Sequence, residues 1–327
     1  MTEDMDRRAF LKTSAALSGA AAFGMAGASE AAQNGGKGKD SPEPGANAMP
    51  TGKIGDLEIS RLISGGNLIG GWAHSRDLIY VSQLMKHYNT PEKIMETLKI
   101  MEEHGINTLI ADLRGETVSI LHRYWDEMDG NIQWVHQGHT APGRPAWDIK
   151  RAVDNGACAV YIHGGISDKL VRDGNHEVLG TCMDVIREAG VPCGIGAHDL
   201  DTVIASETAG YDPDFYMKTL HHHDYWSARN PQQLPPVIEN RDGDNYWAQT
   251  PEQTIEFMKG IDKPWIAFKV LAAGAIRPQS GFSYAFENGA DFICVGMFDW
   301  QVSDDALVAR RTVSRVAQNG RERSWYA

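Results

Sequence analysis

The stretch "CGIGAH", residues 193–198, is a short and almost wholly apolar run that ends in a histidine. A run without polar alternation is typical of a parallel strand that is buried on both faces. Seven further runs of this kind lie along the chain: "RLISGG" (61–66), "NTLIAD" (107–112), "IQWVHQ" (132–137), "CAVYIH" (158–163), "FYMKTL" (215–220), "WIAFKV" (265–270) and "FICVGM" (292–297). The sequence therefore predicts eight buried strands.

Amphipathic stretches with helix-boundary signals lie between these runs. The clearest is "TPEKIMETLKIMEEHG" (90–105), in which Thr90 is a typical N-cap, Pro91 suits the first turn and Gly105 marks the end. The last such stretch is predicted to begin at Ser303, with two acidic residues in its first turn. Eight strand–helix units predict a single-domain α/β fold, the (β/α)₈ TIM barrel. An open doubly wound sheet is the alternative, but no glycine-rich dinucleotide fingerprint follows any strand.

Residues 1–28 have the features of an export signal. A charged head, "DRRAFLK" (6–12), precedes a mild apolar run with a small-residue exit. This run is too short and too rich in glycine and alanine for a stable membrane anchor, which is the alternative interpretation. The pair Arg7 and Arg8 resembles the twin-arginine motif, although Asp6 stands where Ser or Thr is usual. The resemblance implies a periplasmic or otherwise exported protein that meets the twin-arginine translocase during export.

Residues 29–52 are rich in Gly, Pro and charge and show no periodicity, which is typical of a flexible linker. Residues 53–327 then form the predicted catalytic barrel. The net charge of −12 makes nucleic acid and anionic membranes poor partners and favours a small or neutral substrate. The 4 cysteines are too few for a disulfide framework in a chain of 327 residues, so we expect small, buried thiols.

Several segments resemble the aldo-keto reductase superfamily. They are "KIGDLEISRLISGGNLIGG" (53–71), "HGINTLIAD" (104–112), the segment from "YIHGG" to "DTVIAS" (161–206) and "ENGADFICVGM" (287–297). In order, they are similar to the family's opening hairpin and first strand, its second helix-to-strand step, its fourth and fifth strands, and its last strand. The resemblance implies a TIM barrel preceded by a hairpin, with His163 at the position of the family's active-site histidine.

The catalytic residues of that family do not recur in this chain. The family has an Asp and a Tyr after the second strand and a Lys at the end of the third. Here no Tyr follows the second strand before Tyr124, and the third strand ends "WVHQGHT". Ala197 and His198 stand where the family has the Ser-Asn pair that holds nicotinamide. Without an activated Tyr, hydride transfer to a carbonyl lacks its acid. NADP is therefore not expected as a cofactor, and reductase activity is the least favoured function.

Histidines follow several strands, and in a TIM barrel the C-terminal strand ends carry the chemistry. His163 and His198 end adjacent strands and share the inward face by alternation, so they are candidate ligands of Zn²⁺ or Mn²⁺. The run "HHH" after the sixth strand offers a third ligand, either His222 by alternation or His221 by chain twist. Asp112 or a water completes this shell. The alternative is a histidine pair that is hydrogen-bonded to backbone and substrate without a metal.

Two lysines, Lys218 and Lys269, lie within apolar strand runs. A lysine that faced the helix layer would be costly to bury, so we expect both to face the barrel interior near its mouth. A desolvated lysine can act as a base or form a Schiff base with a carbonyl substrate. Asp112 is the third candidate for proton transfer. The alternative is structural, with each lysine paired to Asp112 or Asp299.

Aromatic rings in the loops indicate the substrate class. Trp72 follows the first strand, and Trp226 lies in a long insertion after the sixth. The strand ends and loops also supply Asn67, Arg114 and Asp299 as candidate substrate-binding residues. Rings that stack on C–H faces beside hydrogen-bonding groups suit sugars.

The favoured hypothesis is an exported TIM-barrel enzyme that acts on a sugar or another polyhydroxylated or carbonyl small molecule. Its chemistry would be that of a metal-assisted lyase, isomerase or hydrolase. One alternative is a class I aldolase-like lyase that forms a Schiff base through Lys218 or Lys269. Another is a non-catalytic barrel that binds sugars.

Overall fold

The structure, a computed structural model, describes residues 48–72, 74, 78, 80–113, 115–140, 147–228 and 247–326. The predicted signal peptide, most of the predicted linker and Arg114 lie outside the described residues. The first strand begins at Thr51, so it includes the last two residues of the stretch predicted as linker. None of the described helices is both long enough and apolar enough to cross a membrane.

Eight parallel strands close into a barrel, as predicted. They are β3 (Leu62–Gly65), β4 (Thr108–Ala111), β5 (Gln133–Gly138), β6 (Ala157–Ile162), β7 (Cys193–Ala197), β8 (Phe215–Thr219), β9 (Trp265–Phe268) and β10 (Phe292–Val295). Each strand runs beside its neighbour in chain order, and the last pairs with the first through the register Ile293 to Leu62. The closed barrel excludes the open doubly wound sheet.

The described helices surround the barrel. They are α1 (Val81–Tyr88), α2 (Pro91–Glu103), α3 (Thr117–Met128), α4 (Ile149–Asp154), α5 (Gly164–Arg172), α6 (Glu177–Glu188), α7 (Leu200–Ala209), α8 (Pro251–Met258), α9 (Pro278–Glu287) and α10 (Asp299–Asn319). Thr90 caps α2 as predicted, because its hydroxyl accepts the N–H of Lys93. The prediction that the last helix begins at Ser303 was wrong. It begins four residues earlier, where the Gln301 side chain accepts the N–H of Phe298.

A hairpin precedes the barrel, which agrees with the family resemblance. Strand β1 (Thr51–Ile54) pairs antiparallel with β2 (Leu57–Ser60), and the turn places Gly55 at φ 57°. The left-handed conformation suits glycine at this tight turn. Ile54 and Ile59 are buried among side chains of the barrel interior, so the hairpin covers the end opposite the C-terminal strand ends.

Side chains alternate between the barrel interior and the layer beneath the helices. On β8, Phe215 and Met217 join the interior cluster, whereas Tyr216 and the following Leu220 pack in the helix layer. Fully burying an aliphatic or aromatic side chain of this kind contributes about 1.5–3 kcal/mol, so this alternation fixes which face each strand residue presents. The four cysteines form no disulfide, as predicted.

A buried carboxylate holds the residues after α10 against the barrel. Asp291, just before β10, forms ion pairs with Arg321 at 2.9 Å and with Arg323 at 2.6 Å. It also accepts the backbone N–H groups of Trp265 at 3.0 Å and Tyr326 at 2.8 Å. Removing this carboxylate would leave two buried guanidinium groups without their shared counter-charge.

Candidate active site

Three histidines follow three adjacent strands at the C-terminal end of the barrel. His139 comes after β5, His163 after β6 and His198 after β7. The rings of His139 and His163 stack with centroids 5.5 Å apart, and those of His163 and His198 lie 6.4 Å apart. We call these three residues the histidine row. Strand alternation predicted the approach of His163 to His198, and the row extends it by one strand.

His198 is held by a buried carboxylate on α5, the helix that follows His163. Asp168 of α5 accepts a hydrogen bond from Nδ1 of His198 at 2.8 Å and a second from its backbone N–H at 3.0 Å. The hydroxyl of Thr202 donates to the same carboxylate at 2.7 Å. Gly164 makes room for this arrangement, since a Cβ there would lie 3.0 Å from Cε1 of His198. A carboxylate only accepts, so Nδ1 carries the proton and Nε2 is the acceptor nitrogen.

The surroundings keep the His198 imidazole neutral. Burial, followed by the charges of Lys269 and Lys218, lowers the pKa of His198 well below 6.5. Burial also raises the pKa of Asp168 to about 6, against the effect of the groups that donate hydrogen bonds to it. Above about pH 6 the pair is therefore a carboxylate and a neutral imidazole, which is the state a general base requires.

A second carboxylate holds the other end of the histidine row. Asp148 lies at the start of α4 and accepts hydrogen bonds from Nδ1 of His139 at 3.3 Å and from its backbone N–H at 3.0 Å. Buried His136 contacts the same carboxylate through Nε2 at 3.1 Å. Burial alone would raise the pKa of Asp148, but the hydrogen bonds from His136 and His139 outweigh it and lower the pKa. The row is thus fixed at both ends.

Lys218 does not face the barrel interior, and that prediction was wrong. It shares the outward face of β8 with Tyr216 and is only 1% exposed. Its ammonium donates to the carbonyl oxygen of His198 at 2.8 Å and to Oγ1 of Thr219 at 3.0 Å. The prediction assumed that a lysine on the outward face would be too costly to bury. The cost is offset here because the long side chain reaches these hydrogen-bond acceptors at the strand ends. Burial lowers the pKa of Lys218 to about 8.

Lys269 lies at the mouth, as predicted. It follows β9 in a left-handed conformation, with φ 60°. Its ammonium lies 5.7 Å from the centroid of the Phe268 ring, which is itself 5.3 Å from the ring of His198. Its charge is the largest influence, after burial, on the lowered pKa of His198. Lys269 is therefore a cation beside the candidate base.

The histidines of the "HHH" run contact Lys269, Ser280 and Trp247 and do not extend the histidine row. His221 is fully buried, and its Nδ1 donates to the carbonyl oxygen of Lys269 at 3.0 Å while Nε2 accepts from the N–H of Ala248 at 3.3 Å. His222 donates to Oγ of Ser280 at 2.8 Å. His223 stacks on the ring of Trp247 with centroids 4.3 Å apart.

The predicted metal shell of His163, His198 and His221 or His222 is not assembled. Both nitrogens of His221 are engaged with backbone groups, and His222 is turned toward α9. Across the part of the chain that the structure describes, no group of three or more His, Cys, Asp or Glu side chains could hold a metal ion. The residues therefore do not fit the predicted Zn²⁺ or Mn²⁺ site. The alternative, a histidine pair that is hydrogen-bonded to backbone and substrate without a metal, stays a prediction.

Asp112, Asn67 and Trp72 line one pocket near the barrel mouth, together with Gln137. Nδ2 of Asn67 also lies 3.2 Å from Nε2 of His74. The structure thus brings together three of the predicted site residues on the side formed by β3, β4 and β5. Their amide and carboxylate oxygens are suitable partners for hydroxyl groups.

A tyrosine that the sequence reasoning missed points into the barrel. The hydroxyl of Tyr161 on β6 donates to Oε1 of Gln137 at 2.7 Å. Burial, with smaller contributions from Cys294 and Asp112, raises the pKa of Tyr161 well above 10. An acid for hydride transfer needs the opposite shift, so Tyr161 does not replace the missing reductase tyrosine.

Two further predicted substrate-binding residues are Asp299, which contacts other side chains of the protein, and Trp226, which is exposed. The carboxylate of Asp299 accepts from the hydroxyl of Tyr88 at 2.7 Å and pairs with Lys93 at 3.1 Å, so it ties α10 to the first two helices. The assignment of Asp299 to substrate binding stays a prediction. Trp226 is 95% exposed in the loop after β8 and is available to a ligand.

Asp148 and Asp168 are the functional residues that the sequence reasoning did not single out. Each lies at or within a helix that follows a histidine-bearing strand, where an acidic residue is most often solvated. One signal was present, since Asp168 follows His163 by five residues in "HGGISD". That spacing puts the carboxylate on the second turn of the helix after the strand.

The barrel is similar to solved structures of known fold. One, described as "Putative aldo-keto reductase from Pseudomona aeruginosa", aligns with a TM-score of 0.57 and 15% identity over 82% of this chain and 97% of that chain. A second structure with the same description aligns with a TM-score of 0.56 and 15% identity over 82% of this chain and 98% of that chain. No protein-family model and no curated protein sequence matches the chain. The similarity shows the fold, a TIM barrel.

Proposed function

We propose that the protein is an exported enzyme that moves a proton on a sugar-like or other polyhydroxylated carbonyl compound, as a lyase or an isomerase. One observation carries the proposal: His198 is held through Nδ1 by Asp168 and lies close to the charge of Lys269 at the barrel mouth. A neutral imidazole, an orienting carboxylate and a neighbouring cation are the groups needed to remove a proton next to a carbonyl.

The reaction begins when Nε2 of His198 takes a proton from the carbon beside the substrate carbonyl. The C–H electron pair moves toward the carbonyl oxygen and forms an enolate, whose negative charge the ammonium of Lys269 stabilises. In an isomerase, the hydroxyl on the deprotonated carbon gives its proton to the enolate oxygen, and the His198 imidazolium returns its proton to the former carbonyl carbon, so that the carbonyl has moved to the neighbouring carbon. In a lyase, the enolate re-forms the carbonyl and expels a group from the next carbon, which leaves with the proton.

Substrate binding is assigned to the polar residues at the ends of β3, β4 and β5, at the same end of the barrel as the histidine row. Asn67, Asp112 and Gln137 supply hydrogen-bonding groups for hydroxyls, and Trp72 supplies an aromatic face. Three polar residues and one ring suit a compound with several hydroxyl groups. The net charge of −12 favours a substrate without strong negative charge.

Proton removal is tested by exchange into D₂O. A set of aldoses, ketoses and uronic acids is incubated with the protein, and loss of the signal of the proton beside the carbonyl is followed by NMR. We expect exchange for at least one compound, and a decrease of at least 100-fold in His198→Ala. Ile204→Ala is the matched control, since this exposed side chain of α7 contacts no residue of the histidine row or its carboxylates in any described hydrogen bond or ring contact. Equal exchange in His198→Ala and wild type would overturn the proposal.

A Schiff-base lyase is the second candidate, and the position of Lys269 is what favours it. Lys218 is fully buried and bonded to backbone oxygens, whereas Lys269 follows β9 at the mouth and its charge acts on His198. Borohydride trapping with an active keto compound, followed by peptide mass analysis, separates the mechanisms. Label on Lys269 would establish covalent catalysis, whereas exchange without label supports the enolate route. Alanine at Lys269 with unchanged sugar affinity and no exchange in any compound would indicate a non-catalytic sugar-binding barrel.

Export is the part of the proposal that rests on the N-terminal sequence alone. The paired Arg7 and Arg8 in "DRRAFLK" support transport through the twin-arginine pathway. We expect the double variant Arg7→Lys, Arg8→Lys to accumulate as an uncleaved precursor in the cytoplasmic fraction, as judged by fractionation and intact mass. A variant that still reaches the exported fraction at the wild-type rate would contradict this route.

A further inference from the structure

Four tryptophans stand out by their exposure. Trp226 is 95% exposed, Trp300 67%, Trp72 50% and Trp147 47%. Large aromatic rings are usually covered in a folded protein, so four such rings on the surface need an explanation. We call this set the tryptophan rim.

The four residues lie at the same end of the barrel. Trp72 follows β3, Trp147 follows β5, Trp226 follows β8 and Trp300 follows β10. Because all barrel strands are parallel, the segments that follow them meet at the C-terminal end, which also carries the histidine row. All four tryptophans of the rim therefore lie at the end of the barrel that carries the candidate active site.

The rings are distributed around the mouth and do not form one apolar patch. In the strand order, β10 and β3 are neighbours, β5 lies two strands beyond β3, and β8 lies across the barrel from β4. A barrel of eight tilted strands is roughly 15 Å across between strand backbones. Rings placed on separate sides of such an opening are wider apart than a single sugar ring, so a monosaccharide bound at the centre cannot contact all of them.

Contacts fix two of the rings at the edge of the site. Trp300 stacks on Phe298 with centroids 5.7 Å apart and planes 7° from parallel, which covers one face of its indole. The Trp72 ring has the ammonium of Lys86 at 5.7 Å from its centroid and also lines the pocket that contains Asp112. A ring held this way loses little conformational entropy when a ligand stacks on it.

We propose that the tryptophan rim binds a neutral oligosaccharide that crosses the barrel mouth, so that the substrate is a chain of sugars and not a single sugar. This inference rests on the proposed function, and it adds that the sugar at the histidine row has neighbours on both sides. Indoles stack on the C–H faces of pyranose rings, and the net charge of −12 disfavours polyanionic glycans.

The test is a binding comparison by isothermal titration calorimetry with four neutral hexasaccharides, made of β-1,4-glucose, α-1,4-glucose, β-1,4-xylose and β-1,4-N-acetylglucosamine, and with their monosaccharides. We expect at least one hexasaccharide to bind ten times or more tightly than its monosaccharide. Trp147→Ala with Trp300→Ala, and separately Trp226→Ala, should each weaken that hexasaccharide at least fivefold and leave the monosaccharide within twofold. Ile204→Ala is the control and should change neither affinity.

Two results would overturn the inference: no hexasaccharide that binds better than its monosaccharide, or a preference that survives all the tryptophan variants. The same titrations in His198→Ala separate this inference from the proposed function. Binding should persist in that variant while proton exchange is lost. If exchange were unaffected by His198→Ala but the tryptophan dependence held, the proposed chemistry would fail and the oligosaccharide site would stand.

Discussion

The ammonium nitrogen of Lys218 lies 2.8 Å from the carbonyl oxygen of His198, whose imidazole is held at 2.8 Å by the carboxylate of Asp168. The main chain and the side chain of the candidate base are thus fixed by two different buried charged groups, one from β8 and one from α5. Positioning of this kind keeps a catalytic group within a narrow range of geometry. In the proposed mechanism Lys218 and Asp168 are therefore positioning residues, and His198 is the group that touches the substrate.

Replacing Asp168 by Asn should lower the rate of proton exchange by a factor on the order of 100 to 10,000, because the amide can donate to Nδ1 and favour the wrong tautomer of His198. In the wild type, activity should fall as the pH drops through about 6, because the Asp168 carboxylate is then protonated. The variant should lose this limb of the pH–rate profile.

The matched control is Asp173→Asn, since this exposed carboxylate pairs with Lys169 near the end of the same helix. It should retain the wild-type rate and pH profile. Circular dichroism and urea unfolding establish that both variants are folded. An unchanged pH profile in a folded Asp168→Asn variant would remove Asp168 from the catalytic arrangement.

Replacing Lys218 by Met should change how the free energy of unfolding depends on pH. Burial lowers the pKa of Lys218 from 10.5 to about 8, so between these values the unfolded chain binds a proton that the folded chain does not. Stability of the wild type should therefore rise relative to the variant by about 3 kcal/mol as the pH increases from 8 to 10.5. Urea unfolding at half-unit pH intervals measures this difference.

The control for this series is Lys150→Met, because Lys150 is exposed and pairs with Asp154 on α4. Its unfolding free energy should follow that of the wild type across the whole pH range. If Lys218→Met and the wild type showed parallel curves instead, Lys218 would have an ordinary pKa and its burial would be wrong.

Replacing His221 by Ala should destabilise the protein by about 2–3 kcal/mol at pH 7, because it leaves the N–H of Ala248 without its acceptor and removes one of the two hydrogen bonds to the carbonyl oxygen of Lys269. Burial lowers the pKa of His221 to about 3, so below pH 6.5 only the unfolded chain gains the proton. The stability advantage of the wild type should then shrink by roughly 1.4 kcal/mol per pH unit between 6.5 and 3.

His222→Ala is the comparison, since His222 is only partly buried and bonds a serine hydroxyl. It should cost less than 1.5 kcal/mol. Metal content measured by plasma mass spectrometry should be the same in wild type, His221→Ala and His222→Ala. Stoichiometric metal in the wild type that disappears in either variant would restore the metal site predicted from the sequence.

Replacing Asp291 by Ala should destabilise the protein by about 3–5 kcal/mol, because Arg321 and Arg323 would remain buried without a counter-charge. Urea unfolding measures the loss, and limited proteolysis should release residues near the C-terminus first. Asp212→Ala, which removes an exposed partner of Lys263, is the control and should cost less than about 1 kcal/mol. A loss of similar size in both variants would contradict the role of Asp291 in holding the residues after α10 against the barrel.

The fold could be predicted because strand burial leaves a pattern in the sequence, whereas the site depends on packing between elements. Continuous apolar runs identified all eight strands, and alternation correctly placed His163 and His198 on one face. The orientation of Lys218 could not be obtained in this way, since a burial cost says nothing about acceptors such as the carbonyl oxygen of His198. Asp168 was missed because its approach to His198 arises from the packing of α5 beside β7.

The roles of the histidines in the "HHH" run could not be predicted from the sequence either. Three adjacent histidines suggest one shared role, but the chain leaves the strand at this point and turns each ring toward a different partner. His221 binds backbone groups, His222 binds Ser280 and His223 stacks on Trp247. Which ring faces which partner is decided by the path of the chain after β8, and residue order alone does not encode that path.

Closure of the barrel between its first and last strands has a consequence for how fast the molecule reaches its native state. Arg61 donates to the carbonyl oxygen of Asp291 at 3.0 Å, across 230 residues of chain. The entropy cost of closing so long a loop is offset only after the intervening strands have paired. We therefore expect the pairing of β10 with β3, the final seam of the barrel, to be the slow step. A ribosome-bound chain that lacks β10 would expose two open sheet edges, which can pair with other chains until the seam has formed.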